Sequence, residues 1–179
     1  MSNFGHLNRQ DVRIPSGSVQ LDGELLMPEG ASGIVVFAHG SGSSRHSPRN
    51  RYVAGVMRDA NLGTLLFDLL TPDEGEIDNL TRHLRFDIGL LSRRLVSAAR
   101  WLMDREDTRQ MSIGFFGART GAAAALVAAA ELGEKIGAVV SRGGRPDLAG
   151  DALSSVIAPT LLIVGGFDDV VIRLNEEAL

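Results

Sequence analysis

The chain has no cysteine, which excludes disulfides, thiolate metal ligands and thiol nucleophiles together. Histidine is scarce. His6, His39, His46 and His83 stand apart, with no H-E-x-x-H pattern and no paired histidine and carboxylate spacing, so no metal and no other cofactor is expected. The longest apolar run, Ala122 to Ala130, falls far short of the ~20 residues a membrane span needs, and no membrane partner is expected. Met1 to Gln10 holds no apolar stretch of the signal-peptide kind, and a cytoplasmic location is the expectation. There is also no dense basic run. The arginines from Arg45 to Arg145 are interleaved with acidic residues and the net charge is -4, so nucleic acid is not an expected partner and most of these arginines read as solvated.

What is present is a chain of 179 residues, 44% hydrophobic and 22% charged, without internal repeat, linker or low-complexity segment. That describes a single globular domain over residues 1–179, long enough to bury a full core. Val12 to Pro15 and Val19 to Met27 are extended runs separated by the turn signal Ser16-Gly17, which predicts a hairpin. Continuous apolar, β-branched runs follow at Ile34 to Ala38, Thr64 to Phe67, Met111 to Phe116, Ile136 to Val140 and Thr160 to Val164. Each has the character of a strand buried on both faces of a parallel sheet. Between them lie helical patterns at Pro48 to Asn61, at Leu80 to Arg105 as one long amphipathic helix, and at Thr120 to Leu132. The alternation predicts an α/β fold: a doubly wound, mostly parallel sheet with an N-terminal antiparallel hairpin and helices on both faces.

In such a sheet ligands bind at the carboxyl ends of the strands. His39-Gly40-Ser41-Gly42 follows the Ile34 strand and has the form of an oxyanion loop, although a tight turn or a phosphate-binding loop has the same glycines. Gly117-Ala118-Arg119-Thr120-Gly121 joins a strand to an alanine-rich helix in the manner of the G-x-S-x-G nucleophile elbow, with arginine in the middle. Arginine stays protonated and offers only donors, so it cannot attack a carbonyl. Gly165-Gly166-Phe167-Asp168-Asp169 follows the last strand, and spacing from the glycine pair favours Asp168 over Asp169 as an acid; Asp168 also suits the cap of a helix starting near Val170.

These motifs resemble the α/β-hydrolase superfamily in its dienelactone-hydrolase-like branch. The resemblance runs from about Val19 to the end, through His39 to Asn50, Arg82 to Leu91, residues 117–121, Ser141 to Asp147 and Gly165 to Asp168. It implies hydrolysis of a small-molecule ester, lactone or thioester through an acyl-enzyme, by a serine or cysteine nucleophile, a histidine base and an acidic orienter. By position it implies oxyanion-hole N–H groups from Ser41 and Thr120, the acid from Asp168, and a cleft lined by His39, Gly40 and Arg142. Some relatives of this kind carry a fused phosphoribosyltransferase domain, but no glycine- and acid-rich loop of that type occurs here. Oligomeric state is not implied.

Two departures follow from the same comparison. Arg119 fills the nucleophile position, and the histidine expected after one more strand beyond Asp168 has no counterpart before Leu179, inside an expected helix Val170 to Leu179. The chain therefore reads as C-terminally incomplete, lacking the last strand and helix of the pattern. His39 and His83 are the substitute bases and Ser43 and Ser141 the substitute nucleophiles, none in the right loop; His39 better suits bracing its own loop and His83 a helix surface. Arg142 and Arg145 suit either an acidic substrate group or, preferably, a brace with Asp147. The expectation is a hydrolase-type domain impaired by Arg119. The alternative is a pseudo-hydrolase holding a small anion at Arg119 between the Ser41 and Thr120 N–H groups. A purely internal role would pair Arg119 with Asp168.

Overall fold

The computed structural model describes residues 6–179, so the first five residues of the Met1 to Gln10 segment lie outside it. Seven strands form one sheet: β1 (Leu7–Ser16), β2 (Val19–Pro28), β3 (Gly33–Ala38), β4 (Gly63–Phe67), β5 (Ser112–Ala118), β6 (Ile136–Arg142) and β7 (Thr160–Ile163). Their order is β1-β2-β4-β3-β5-β6-β7; β2 pairs antiparallel with both β1 and β4, and β3 to β7 run parallel. The doubly wound sheet with its antiparallel hairpin is therefore the observed fold. Gly17, at φ 59°, turns the hairpin. β1 begins at Leu7 rather than Val12, because an edge strand tolerates the polar Asn8, Arg9 and Gln10 that hide it from a search for apolar runs.

The α-helices of the described residues are α1 (Pro48–Asp59), α2 (Pro72–Thr81), α3 (Ile88–Asp104), α4 (Thr120–Leu132) and α5 (Asp169–Glu176). The single helix expected over Leu80 to Arg105 is not present. Arg82 enters the left-handed region at φ 59° and closes α2, a 3-10 turn follows at Leu84–Phe86, and the Asp87 carboxylate accepts from the Leu90 N–H to open α3. α2 starts on a capping box that carries a readable signal: the Thr71 hydroxyl accepts from the Glu74 N–H, and the Glu74 carboxylate accepts from the Thr71 N–H.

α3 and α4 pack on one face around Leu95, Leu102, Phe115 and Leu126, and the run Ala122 to Ala125 is fully buried there. α1 packs on the other face, where Ala54 meets Phe37, Leu66 and Phe116, the two phenylalanine rings lying 5.1 Å apart. β7 differs from the other parallel strands. Among the described residues its Thr160, Leu161 and Ile163 are exposed and it pairs on one side, with β6, so it is not buried on both faces there. An apolar run has the same composition in either place; which neighbours cover it is a tertiary matter. No helix of the described residues is long and apolar enough to cross a membrane.

Candidate active site

β5 ends at Ala118 and α4 begins at Thr120, so the whole reversal falls on Arg119, at φ 53° and ψ -121°. A non-glycine residue there costs about 1–3 kcal/mol. The neighbouring glycines are required by contact. A Cβ on Gly117 would stand 2.8 Å from the Ala122 nitrogen, and one on Gly121 would run into the carbonyl oxygens of Ala38 and His39. The Arg119 carbonyl accepts from the Ala122 and Arg145 N–H groups, each at 3.2 Å, and ties the elbow to the loop after β6. Its side chain is exposed and lies along Gly40, where a Cβ would come within 3.1 Å of the Arg119 Cβ and 3.2 Å of its Cδ.

Gly40 and Ser41 thus face the elbow across the cleft. As the first residue of α4, Thr120 has no residue one turn back to receive its N–H. The Ser41 N–H likewise donates to no protein acceptor among the described residues. His39 accepts at Nε2 from the Leu69 N–H at 3.0 Å, which leaves Nδ1 to carry the proton and donate to the Gly40 carbonyl at 3.2 Å. Burial lowers its pKa below the ordinary histidine value, outweighing the Gly40 carbonyl and the Asp68 carboxylate, which act to raise it. The ring is neutral and engaged at both nitrogens, a brace for its loop rather than a base. Asp68, at the end of β4, accepts from the Arg45 N–H at 2.8 Å and pairs with the Arg45 guanidinium, holding the far side of the same loop.

Asp168 lies in the loop after β7 and caps α5, its carboxylate accepting from the Val171 N–H at 3.3 Å. Among the described residues it pairs with neither Arg119 nor His39. His83 is exposed in the break between α2 and the 3-10 turn, not on a helix, with Nδ1 2.7 Å from the Thr81 hydroxyl. Ser43 is exposed on the loop after β3, whereas Ser141 is fully buried with its hydroxyl pressed against Gly144. Arg145 makes the brace with Asp147, at 2.8 and 2.7 Å. Arg142 does not join it.

The Arg142 guanidinium instead lies 5.8 Å from the centre of the Phe116 ring and donates weakly to the Asn50 side chain at 3.4 Å. Burial lowers its pKa first, and the charges of Arg49 and Arg119 lower it further. Arg49, Asn50, Arg119 and Arg142 share one cavity of about 520 Å3 with Gly40 to Ser43. Arg49 and Asn50 are the residues that motif reading missed. Their signal was Ser47-Pro48, which starts α1 at the cleft and puts the next two residues in its first turn. A second cavity of about 650 Å3 opens on the other side of the Gly40 to Ser44 loop, beside His39, Asp68 and Thr120. Its far wall is held by Asp78, where burial pushes the carboxyl up but hydrogen bonds from the Arg85 backbone and guanidinium hold it below the usual range. No three His, Asp or Glu side chains converge to hold a metal among the described residues.

No family model matches the chain. Among solved structures, a dienelactone hydrolase from Anabaena variabilis superposes with a TM-score of 0.95 at 62% identity, over 97% of this chain and 80% of that one. The chain belongs to the dienelactone hydrolase family. A Pyrococcus furiosus esterase shares the dienelactone hydrolase fold at a TM-score of 0.71, over 96% of this chain and 79% of that one, with 17% identity that speaks for the fold alone. Two Mycobacterium tuberculosis proteins provisionally named phosphoribosyl transferases are 58% identical over 172 residues, 96% of this chain. The chain spans 38% of the length of these curated relatives.

Proposed function

We propose that this chain is a dienelactone-hydrolase-type domain whose family reaction is hydrolysis of a small ester, lactone or thioester, and that with Arg119 at the elbow it does not react by that route. The observation that carries the reading is the backbone of Arg119, at φ 53° and ψ -121° between β5 and α4, with Gly40 and the Ser41 and Thr120 N–H groups around it. The strained turn and the close approach of Gly40 support this reading, and the side chain at the turn is a permanent cation. In this reading Ser41 and Thr120 stabilise the oxyanion, and Asp168 supplies the acid from the loop after β7. The phosphoribosyl transferase name of the M. tuberculosis proteins then belongs to the length that this chain does not span, in keeping with the lack of a glycine- and acid-rich loop of that type here. The test is incubation with p-nitrophenyl acetate and a fluorophosphonate probe, alongside an Arg119→Ser version of the full-length protein. Labelling confined to the serine version is the expected result, and labelling of the native chain would overturn the reading.

A second reading is favoured by one observation: Arg119 forms no ion pair among the described residues although its cavity holds unpaired N–H donors. It makes the domain a pseudo-hydrolase that binds a small anion at Arg119. Thermal stabilisation by acetate or phosphate, lost in Arg119→Ala, is the expected result; no response to any anion overturns it.

A further inference from the structure

The cavity beside the elbow concentrates charge of one sign. Arg49 stands in the first turn of α1, Arg119 is the residue before α4, and Arg142 is the last residue of β6, so three separate elements deliver a guanidinium to one space of about 520 Å3. Several arginines elsewhere in the chain are paired. Arg45 meets Asp68, Arg85 meets Asp78, Arg94 meets Glu74 and Arg145 meets Asp147. Arg49, Arg119 and Arg142 form no ion pair among the described residues, and no carboxylate lines their cavity.

Such a cluster is costly without a counter-charge. Arg142 is half-buried, and among the described residues its one side-chain acceptor is the buried Asn50, at 3.4 Å. Burial and the like charges of Arg49 and Arg119 all depress its pKa. The rim adds donors rather than acceptors of charge. Ser41 and Ser43 bring hydroxyl groups, the Ser41 N–H is unpaired, and the N-termini of the 12-residue α1 and the 13-residue α4 both reach the cavity.

We propose that this cavity is a binding site for a dianionic phosphoryl group, with Arg49, Arg119 and Arg142 as its ligands. The proposal rests on the anion-binding reading of Arg119 and extends it from one cation to three. A single carboxylate satisfies one guanidinium fork and leaves two charges facing each other. A phosphate monoester carries about -1.5 to -2 charge and three acceptor oxygens, enough to engage three planar donor groups from different directions. The space is also larger than one phosphate fills, so an organic group on the fourth oxygen can be accommodated.

The test is isothermal titration of the whole chain at pH 8 with inorganic phosphate, sulfate, phenyl phosphate and acetate at constant ionic strength. Phosphate and sulfate are expected to bind at least tenfold more tightly than acetate. Phenyl phosphate binding as tightly as phosphate identifies a monoester as the ligand, and its exclusion identifies the free ion. Arg49→Gln and Arg142→Gln should each weaken phosphate about tenfold and change acetate less than threefold, with thermal unfolding in buffer confirming that both variants are folded. Equal binding of phosphate and acetate would overturn the dianion site and leave the single-anion reading standing. Phosphate binding unchanged in the Arg49→Gln, Arg142→Gln double variant would also overturn the site, and no binding of any anion would overturn both.

Discussion

Arg119 combines two penalties that act on different parts of the molecule. Its backbone sits in a region that side chains rarely adopt, and its guanidinium adds to an unpaired cationic cluster. Arg119→Gly relieves both, and urea denaturation should show a gain of about 1 kcal/mol. The flanking glycines behave in the opposite way. Gly121→Ala pushes a methyl group into the Ala38 and His39 carbonyls and should cost about 3 kcal/mol in the same measurement. His39 provides the pH signature. Its folded pKa lies below the ordinary 6.5, so between those two values the unfolded chain binds more protons than the folded one. That stability is present above pH 6.5 and is lost as pH falls toward the folded value. Denaturation midpoints should therefore drop between pH 7.5 and 5.5, and His39→Gln should flatten the slope.

At the scale of elements, Glu74 joins two helices. One carboxylate oxygen completes the capping box of α2, and the other accepts from Arg94 of α3 at 2.7 Å. Arg94 is 6% exposed, and one of its terminal nitrogens already has no partner. Glu74→Ala removes the cap and strands a buried charge, a loss of about 3 kcal/mol or more, whereas Arg94→Met removes the charge with the partner and should cost less. Thermal unfolding of the two variants separates these outcomes. The break between α2 and α3 shows where periodicity misleads. Apolar residues recur at helical spacing on both sides of Arg82, and the turn between them comes from one left-handed residue and from Asp78, which holds the Arg85 backbone and side chain. Thr71-Pro72 with Glu74 was readable as a helix start.

Across the described residues one sheet carries the chain, so the turn at Arg119, the Gly40 to Ser43 loop and the arginine cavity sit on one support. Fluorescence of Trp101 on α3 and far-UV circular dichroism should follow a single unfolding transition; two separated transitions would contradict one domain. The central strands and the glycine-flanked turn at Arg119 were legible because each is local: apolar runs, and glycines at positions where a Cβ meets backbone. Sequence alone determined that a cation stands at the elbow, because the residue type decides its charge and its inability to attack. Only the tertiary structure decided what surrounds that cation. His39 is engaged at both nitrogens by Leu69 and Gly40, and Arg49 and Arg142 come to Arg119 from elements far apart in the chain. Convergence of that kind depends on strand order and helix packing, which no local pattern of residues encodes.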